Sequence, residues 1–179
     1  MDSGDVAVPR DGVSGEPDGG AGEAGMRQAI EMLFFAYRDF TETADVVLAD
    51  HGFGRAHHRV IYFVGRQPGI TVSELLVILR ITKQSLARVL RDLMDTGFVV
   101  QETDAEDRRR RRLHLTDRAR ELEAALTRRQ SALIHAACAE AGADAGRGFK
   151  AVLRAMIRAE DRHRVDSPAL TGDDDGARL

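Results

Sequence analysis

The stretch Asp104-Ala105-Glu106-Asp107-Arg108-Arg109-Arg110-Arg111-Arg112-Leu113-His114-Leu115-Thr116 sets five consecutive arginines between an acidic entry and an alternating Leu-His-Leu exit. Phe98-Val99-Val100 upstream reads as a strand, so the whole predicts a two-stranded hairpin with a basic tip. Adjacent arginines repel one another, and such a run is tolerable at an exposed tip that meets a polyanion such as a phosphate backbone. Strand alternation divides the run. Arg108 and Arg110 fall at the tip, while Arg111 and Arg112 begin the return strand and point to opposite faces. At least one of these last two is therefore expected to be structural or to touch backbone only.

Working outward, the chain is mostly helical by period. Ile30, Leu33, Phe34, Tyr37, Phe40, Ala44, Val47 and Leu48 recur at helical steps, which predicts a long first helix over roughly 26–50. His51-Gly52-Phe53-Gly54 breaks it, and a second helix runs over roughly 55–66 to Gln67-Pro68-Gly69. Thr71-Val72-Ser73-Glu74 is a capping box that opens a short third helix to about 79. Arg80-Ile81-Thr82 is a tight connection, Thr82 caps a fourth helix over 82–96, and Gly97 stands just past its end. Beyond the hairpin, Thr116 caps a fifth helix over 116–141 that carries Leu122, Leu126 and Leu133. A sixth, over 145–164, carries Phe149, Val152, Leu153, Met156 and Ile157.

The expected fold class is mainly α with a small β-hairpin wing. A winged helix-turn-helix lobe over 55–115 is joined to a helical lobe made of 26–50, 116–141 and 145–164. Residues 1–25 and 166–179 lack apolar period and read as disordered acidic tails. The overall charge of −3 is uneven. Residues 1–25 carry one Arg against six acids and 166–179 one Arg against four, which leaves the body at 26–165 with a balance of +5. A basic body suits a nucleic-acid partner. No apolar run is long enough to span a bilayer, no signal-peptide pattern is visible, and the single cysteine, Cys138, excludes an intramolecular disulfide. These features point to the cytoplasm, where DNA binding would bring the protein to the nucleoid.

The fourth helix has two faces. Leu86, Val89, Leu90 and Leu93 turn inward, and Lys83, Gln84, Ala87, Arg88 and Arg91 turn outward. A Gln amide and several cations around a small Ala suit the major groove, where Gln pairs with adenine and Arg with guanine. Lys83, Gln84 and Arg88 are the candidate base contacts; Thr82 stands at the same helix start, and Ser85 and Arg91 are assigned to phosphate. A charged outer face is also what plain solvation produces. The adjacent basic hairpin decides between the two, because a wing beside a helix-turn-helix can place arginine in the minor groove.

The order of helices, Ile81-Thr82-Lys83-Gln84-Ser85-Leu86-Ala87-Arg88-Val89-Leu90, the exit Asp95-Thr96-Gly97-Phe98-Val99 and the wing from Asp107-Arg108-Arg109 to Leu115-Thr116 resemble the MarR family of winged helix-turn-helix regulators over about 26–165. Gly54-Arg55-Ala56-His57-His58-Arg59-Val60 together with Ile81-Thr82-Lys83-Gln84-Ser85 is similar to one narrower type within it. The resemblance implies a homodimer on double-stranded DNA, a repressor in its expected action. It implies that Arg109 enters the minor groove and that Asp107 orients it, with Arg108, Arg110 and Arg111 beside them. Two positions depart from the family's habit: Ala87 stands where Thr is frequent, which bears on base preference, and Ala119 where Gly is frequent.

The resemblance also implies a small aromatic or anionic effector. Phe34, Tyr37, Arg38, His57, Tyr62 and Phe63 are candidates to line its cleft, although Phe34 and Tyr37 lie on the apolar stripe of the first helix and plain core is the competing reading. His57 and His58 point about 100° apart on a helix and cannot chelate one metal together. His57 reads as a partly buried structural histidine, and a site joining either one to His51 is the weaker alternative. Cys138 reads as a buried, inert thiol. No cofactor motif, nucleophile elbow, phosphate loop or paired catalytic motif is present, so an enzyme is not expected. The alternative function is a dimeric interaction scaffold without specific DNA binding, against which the arginine run argues.

Overall fold

The computed structural model describes residues 22–104, 107 and 110–166. The elements in chain order are α1 (Glu23–Ala49), α2 (Arg55–Arg66), β1 (Ile70–Thr71), α3 (Val72–Leu79), α4 (Lys83–Asp95), β2 (Val99–Thr103), β3 (Arg111–Leu115), α5 (Asp117–Ala141), α6 (Ala145–Met156), a 3-10 turn (Ala159–Asp161) and α7 (His163–Asp166). The expected class, helices with a small β wing, is what is found. Of the tails expected to be disordered at 1–25 and 166–179, residues 1–21 and 167–179 lie outside the described residues, while α1 begins inside the first at Glu23 and α7 ends inside the second at Asp166.

The chain divides into two units within α1, after Arg38. The described part of the first unit is helical and exposes Met26, Ile30, Met32, Leu33, Phe34, Phe35 and Tyr37. Phe34 meets Phe35 edge-on at 5.4 Å, and the Arg38 guanidinium lies 4.9 Å from the Phe35 ring centroid. The competing reading of Phe34 and Tyr37 as core is thus corrected: the stripe is apolar, yet both rings stand exposed.

The second unit holds the core. Ala44 and Leu48 from the end of α1 join Val60, Ile61 and Val64 of α2, Leu75 of α3, and Leu86, Val89, Leu90 and Leu93 of α4. Phe98, Val99, Leu113 and Leu115 close it from the sheet, and Ala119, Leu122 and Leu126 from the first turns of α5. The first half of α5 is therefore anchored, whereas Leu133 and Ile134 further along are exposed. α6 buries no residue and exposes Phe149, Val152, Leu153 and Met156.

Local sequence explains the helix starts. The Thr71 hydroxyl accepts the Glu74 N–H at 3.3 Å, while the Glu74 carboxylate accepts the Thr71 N–H at 2.7 Å, a complete capping box. Those hydrogen bonds from Thr71 hold the Glu74 carboxyl below its ordinary pKa. Thr82 accepts the Ser85 N–H at 3.1 Å, and Thr116 accepts the Ala119 N–H at 3.3 Å. Gly65 allows α2 to approach the sheet, since a Cβ there would lie 3.0 Å from Leu115 Cδ1.

Two expectations are corrected. The hairpin gains a third strand: the order is β1-β3-β2, with Ile70 opposite Leu113 and Thr71 opposite Arg112. The sixth helix stops at Met156, well short of 164. Ile157 turns to an extended conformation (φ −72°, ψ 137°), and Arg162 caps the freed end by donating to the Ile157 and Ala155 carbonyls at 3.1 and 3.2 Å. Cys138 is half-buried, with its Sγ facing Gly146 of α6.

Candidate nucleic-acid interface

Burial of Leu86, Val89, Leu90 and Leu93 fixes the rotation of α4 and leaves Lys83, Gln84, Ser85, Ala87, Arg88 and Arg91 exposed on the opposite side. Gln84, Ser85, Ala87, Arg88 and Arg91 line an open depression of about 420 Å³. The small Ala87 creates the space and the long polar side chains border it. Among the described residues no carboxylate pairs with Lys83, Arg88 or Arg91. Their charges are thus available to a polyanion. At the helix start the Thr82 hydroxyl also donates to Ser85 Oγ at 2.8 Å, so the cap orders the first turn.

α4 is braced from behind. His57 Nε2 on α2 lies 3.5 Å from the Asp92 carboxylate on α4, and the ring stacks on Phe53 at 4.9 Å. The Gly54 N–H donates to His57 Nδ1 at 3.2 Å, which leaves Nε2 as the nitrogen that carries the proton toward Asp92. Phe53 in turn meets Phe98 edge-on at 4.9 Å, and the Arg118 guanidinium covers the Phe98 ring at 4.5 Å. His57 therefore has a structural place. Tyr62, five positions later on α2, points about 140° away from it and contacts Phe63. These two members of the expected effector cleft diverge, and Phe34, Tyr37 and Arg38 belong to the other unit. Among the described residues no group of His, Cys, Asp or Glu is arranged to hold a metal ion.

The wing rises from β2 and β3. Arg108 and Arg109, the residues assigned to the tip and the minor groove, lie outside the described residues. Asp107, expected beside Arg109, has its carboxylate 3.6 Å from Arg110 Nε, and the Arg110 N–H donates to the Asp107 carbonyl at 2.8 Å. Arg111, expected at DNA, sits opposite Thr103 and donates to its hydroxyl. Arg112 is the structural member of the run. Its Nε donates to the buried Asp104 at 2.6 Å and its Nη1 to the Gly69 carbonyl at 3.3 Å.

The partner of Arg112 becomes legible only once the strand register is known. Residues 102 and 104 share a strand parity, and the register pairs Glu102 with Arg112. Asp104 therefore stands on the face toward which Arg112 points. The bracing pair His57–Asp92 has no local sign in the sequence either.

A helix-turn-helix followed by a three-stranded wing, with an outward face of Gln and cations that no carboxylate among the described residues pairs, defines a winged helix-turn-helix DNA-binding protein. Comparison with known proteins agrees. The MarR family pattern matches residues 51–110. The HTH-type transcriptional regulator PetP of Rhodobacter capsulatus is 48% identical over 132 residues, covering 74% of this chain and 80% of that protein. This is the narrower type to which Gly54–Val60 and Ile81–Ser85 pointed. A putative transcriptional regulatory protein for the hcr operon of Thauera aromatica is 28% identical over 81 residues, 45% of this chain and 47% of that one. Among solved structures, a MarR transcriptional regulator from Methanosarcina mazei superposes with TM-score 0.61 at 22% identity, covering 80% of this chain and 93% of its own. Streptococcus pneumoniae FabT in complex with DNA superposes with TM-score 0.64 at 20% identity, covering 73% and 96%. The chain belongs to the MarR family and is a transcriptional regulator.

Proposed function

We propose that the protein is a homodimeric repressor that reads a pseudo-palindromic operator, with α4 in the major groove and the wing at 104–112 in the minor groove. The observation that carries this reading is the outward face of α4, where Gln84, Arg88 and Arg91 border an open depression and no carboxylate among the described residues neutralises Lys83, Arg88 or Arg91. Gln84 presents an amide acceptor and donor, the pair that matches an adenine edge, and Arg88 presents two donors, the pair that matches a guanine edge. Lys83 joins them as a base contact; Thr82, Ser85, Arg91 and the wing arginines Arg108, Arg110 and Arg111 serve backbone or register. Arg109, oriented by Asp107, is the minor-groove residue of this reading.

A single unit of this kind touches few base pairs. Two units related by a two-fold axis would span successive grooves about 34 Å apart. The exposed apolar residues Phe149, Val152, Leu153 and Met156 of α6, and separately those of the first half of α1, supply the surface that such an assembly covers. Structural neighbours solved with DNA, among them FabT and Staphylococcus aureus MepR, support the mode of binding by their fold. Relief of binding by a small aromatic or anionic effector completes the proposal.

The test is selection of duplexes from a random library by the purified full-length chain, followed by affinity measurement at physiological salt. Enrichment of an inverted repeat, bound at least about a thousandfold more tightly than random DNA, is the expected result. Equal binding of selected and random duplexes would overturn the reading. Release of that duplex by small aromatic acids tests the effector.

A further inference from the structure

The angle between α3 and α4 depends on the turn that joins them, and Arg80 makes that turn. Its backbone is left-handed (φ 51°, ψ 41°), and among the described residues it is the non-glycine residue with positive φ. A Cβ is disfavoured in this conformation and glycine is not. An arginine at such a position therefore calls for something its side chain does.

The Arg80 Nη2 donates to Glu160 Oε1 at 3.0 Å and to Asp161 Oδ2 at 2.9 Å. Both carboxylates belong to the 3-10 turn Ala159–Asp161, far along the chain beyond α6. That turn is itself held in place. Arg162 caps the end of α6 through the Ile157 and Ala155 carbonyls, and Arg154 of α6 grips Asp166 of α7 through a fork at 2.8 and 2.7 Å. Arg164 Nε lies 3.4 Å from Asp161 Oδ1 on its other side. The acidic pair is thus presented by a braced segment, not by a loose end.

We infer that Arg80 is a positioning residue: held by Glu160 and Asp161, it ties the helix-turn-helix turn to the segment that follows α6 and so sets α4 on α3. The inference rests on the reading that α4 meets DNA. Because the braced segment continues directly from α6, whose apolar face is open to a second copy, the tie links the setting of the recognition helix to the part of the chain proposed to dimerise.

Three full-length proteins test it: the native chain, Glu160→Gln/Asp161→Asn, and Arg80→Gly, which relieves the left-handed strain while removing the guanidinium. Each is titrated against the duplex selected by the native chain and against random duplex, across a salt series, by fluorescence anisotropy. The double variant should bind the selected duplex about three- to tenfold more weakly, as expected for loss of two exposed ion pairs that share one guanidinium nitrogen. Its binding to random duplex should hold or tighten, since two negative charges are gone. Arg80→Gly should weaken selected binding with an unchanged salt slope. Amides of residues 81–86 should exchange hydrogen faster in both variants without DNA.

Unchanged or tighter selected binding by the double variant would overturn the inference. If Arg80→Gly alone weakened binding, with a salt slope smaller by about one, Arg80 would be a phosphate contact instead. If the native chain selected no duplex, the DNA reading would fail, and exchange at 81–86 would still decide the tie: faster in both variants upholds it, unchanged refutes it.

Discussion

Asp104 and Arg112 form an ion pair that is buried at one end only: Asp104 Oδ2 lies 2.5 Å from Arg112 Nη2, with side-chain exposures of 4% and 45%. The other oxygen, Oδ1, accepts the Asp107 N–H at 3.3 Å, and Arg112 reaches across to the Gly69 carbonyl. One pair therefore fastens the end of β2, the start of β3 and the loop before β1. Arg112→Met strands a buried carboxylate and should cost about 2–3 kcal/mol, below the full penalty of a buried pair because the arginine is half in solvent. Thermal unfolding should show Tm lowered by about 4–10 °C. Asp104→Asn keeps an acceptor for the Asp107 N–H and should cost less. An unchanged Tm for Arg112→Met would show that the pair is ornamental.

The base-reading and phosphate-holding residues on the outward face of α4 should separate in binding experiments. Gln84→Ala and Arg88→Ala are expected to lose about 1–3 kcal/mol on the selected duplex and to relax the base choice at one position each. Arg91→Ala should weaken all duplexes alike and reduce the salt slope by about one. Competition titrations with single-base variants of the duplex distinguish these outcomes.

The exposed apolar faces give a prediction about assembly. Val152→Asp on α6 and Ile30→Asp on α1 alter side chains that are 60% and 68% exposed in the single chain, so the core of the second unit is untouched. Sedimentation should find the native chain dimeric and each variant shifted toward monomer, with helical content retained at low protein concentration. A native chain that sediments as a monomer at micromolar concentration contradicts the proposal.

His58 carries a pH dependence. Burial lowers its pKa below the ordinary 6.5, with Glu123 and Asp45 pulling the other way and Arg59 adding to the lowering. The folded state then takes up this proton less readily than the unfolded one. The stabilising contribution is complete above about pH 6.5 and is lost as the pH falls from there through the folded-state pKa. Urea unfolding at pH 7.5 and 5.5 should show a smaller loss of stability on acidification for His58→Gln than for the native chain. An equal loss would assign the pH dependence to other groups.

What the sequence determined by itself is everything that depends on neighbours within about one helical turn or on strand parity. Thr71, Thr82 and Thr116 cap helices because each finds its N–H partner three residues on. The inward and outward faces of α4 follow from helical period alone, and Phe98 to Leu115 read as a basic hairpin from alternation and charge. What only the tertiary structure decided involves partners distant along the chain. Ile70 and Thr71 became a third strand because Leu113 and Arg112 offered them an edge. The same apolar period lies buried at Ala44 and Leu48 and exposed at Ile30 and Phe34 within one helix, since burial depends on what the rest of the chain brings alongside. Of the five arginines and the one in the turn, Arg112 found Asp104 and Gly69, and Arg80 found Glu160 and Asp161. A run of like charges announces that a polyanion is wanted. Which guanidinium is left to meet it depends on where the carboxylates come to rest, and no local pattern encodes that.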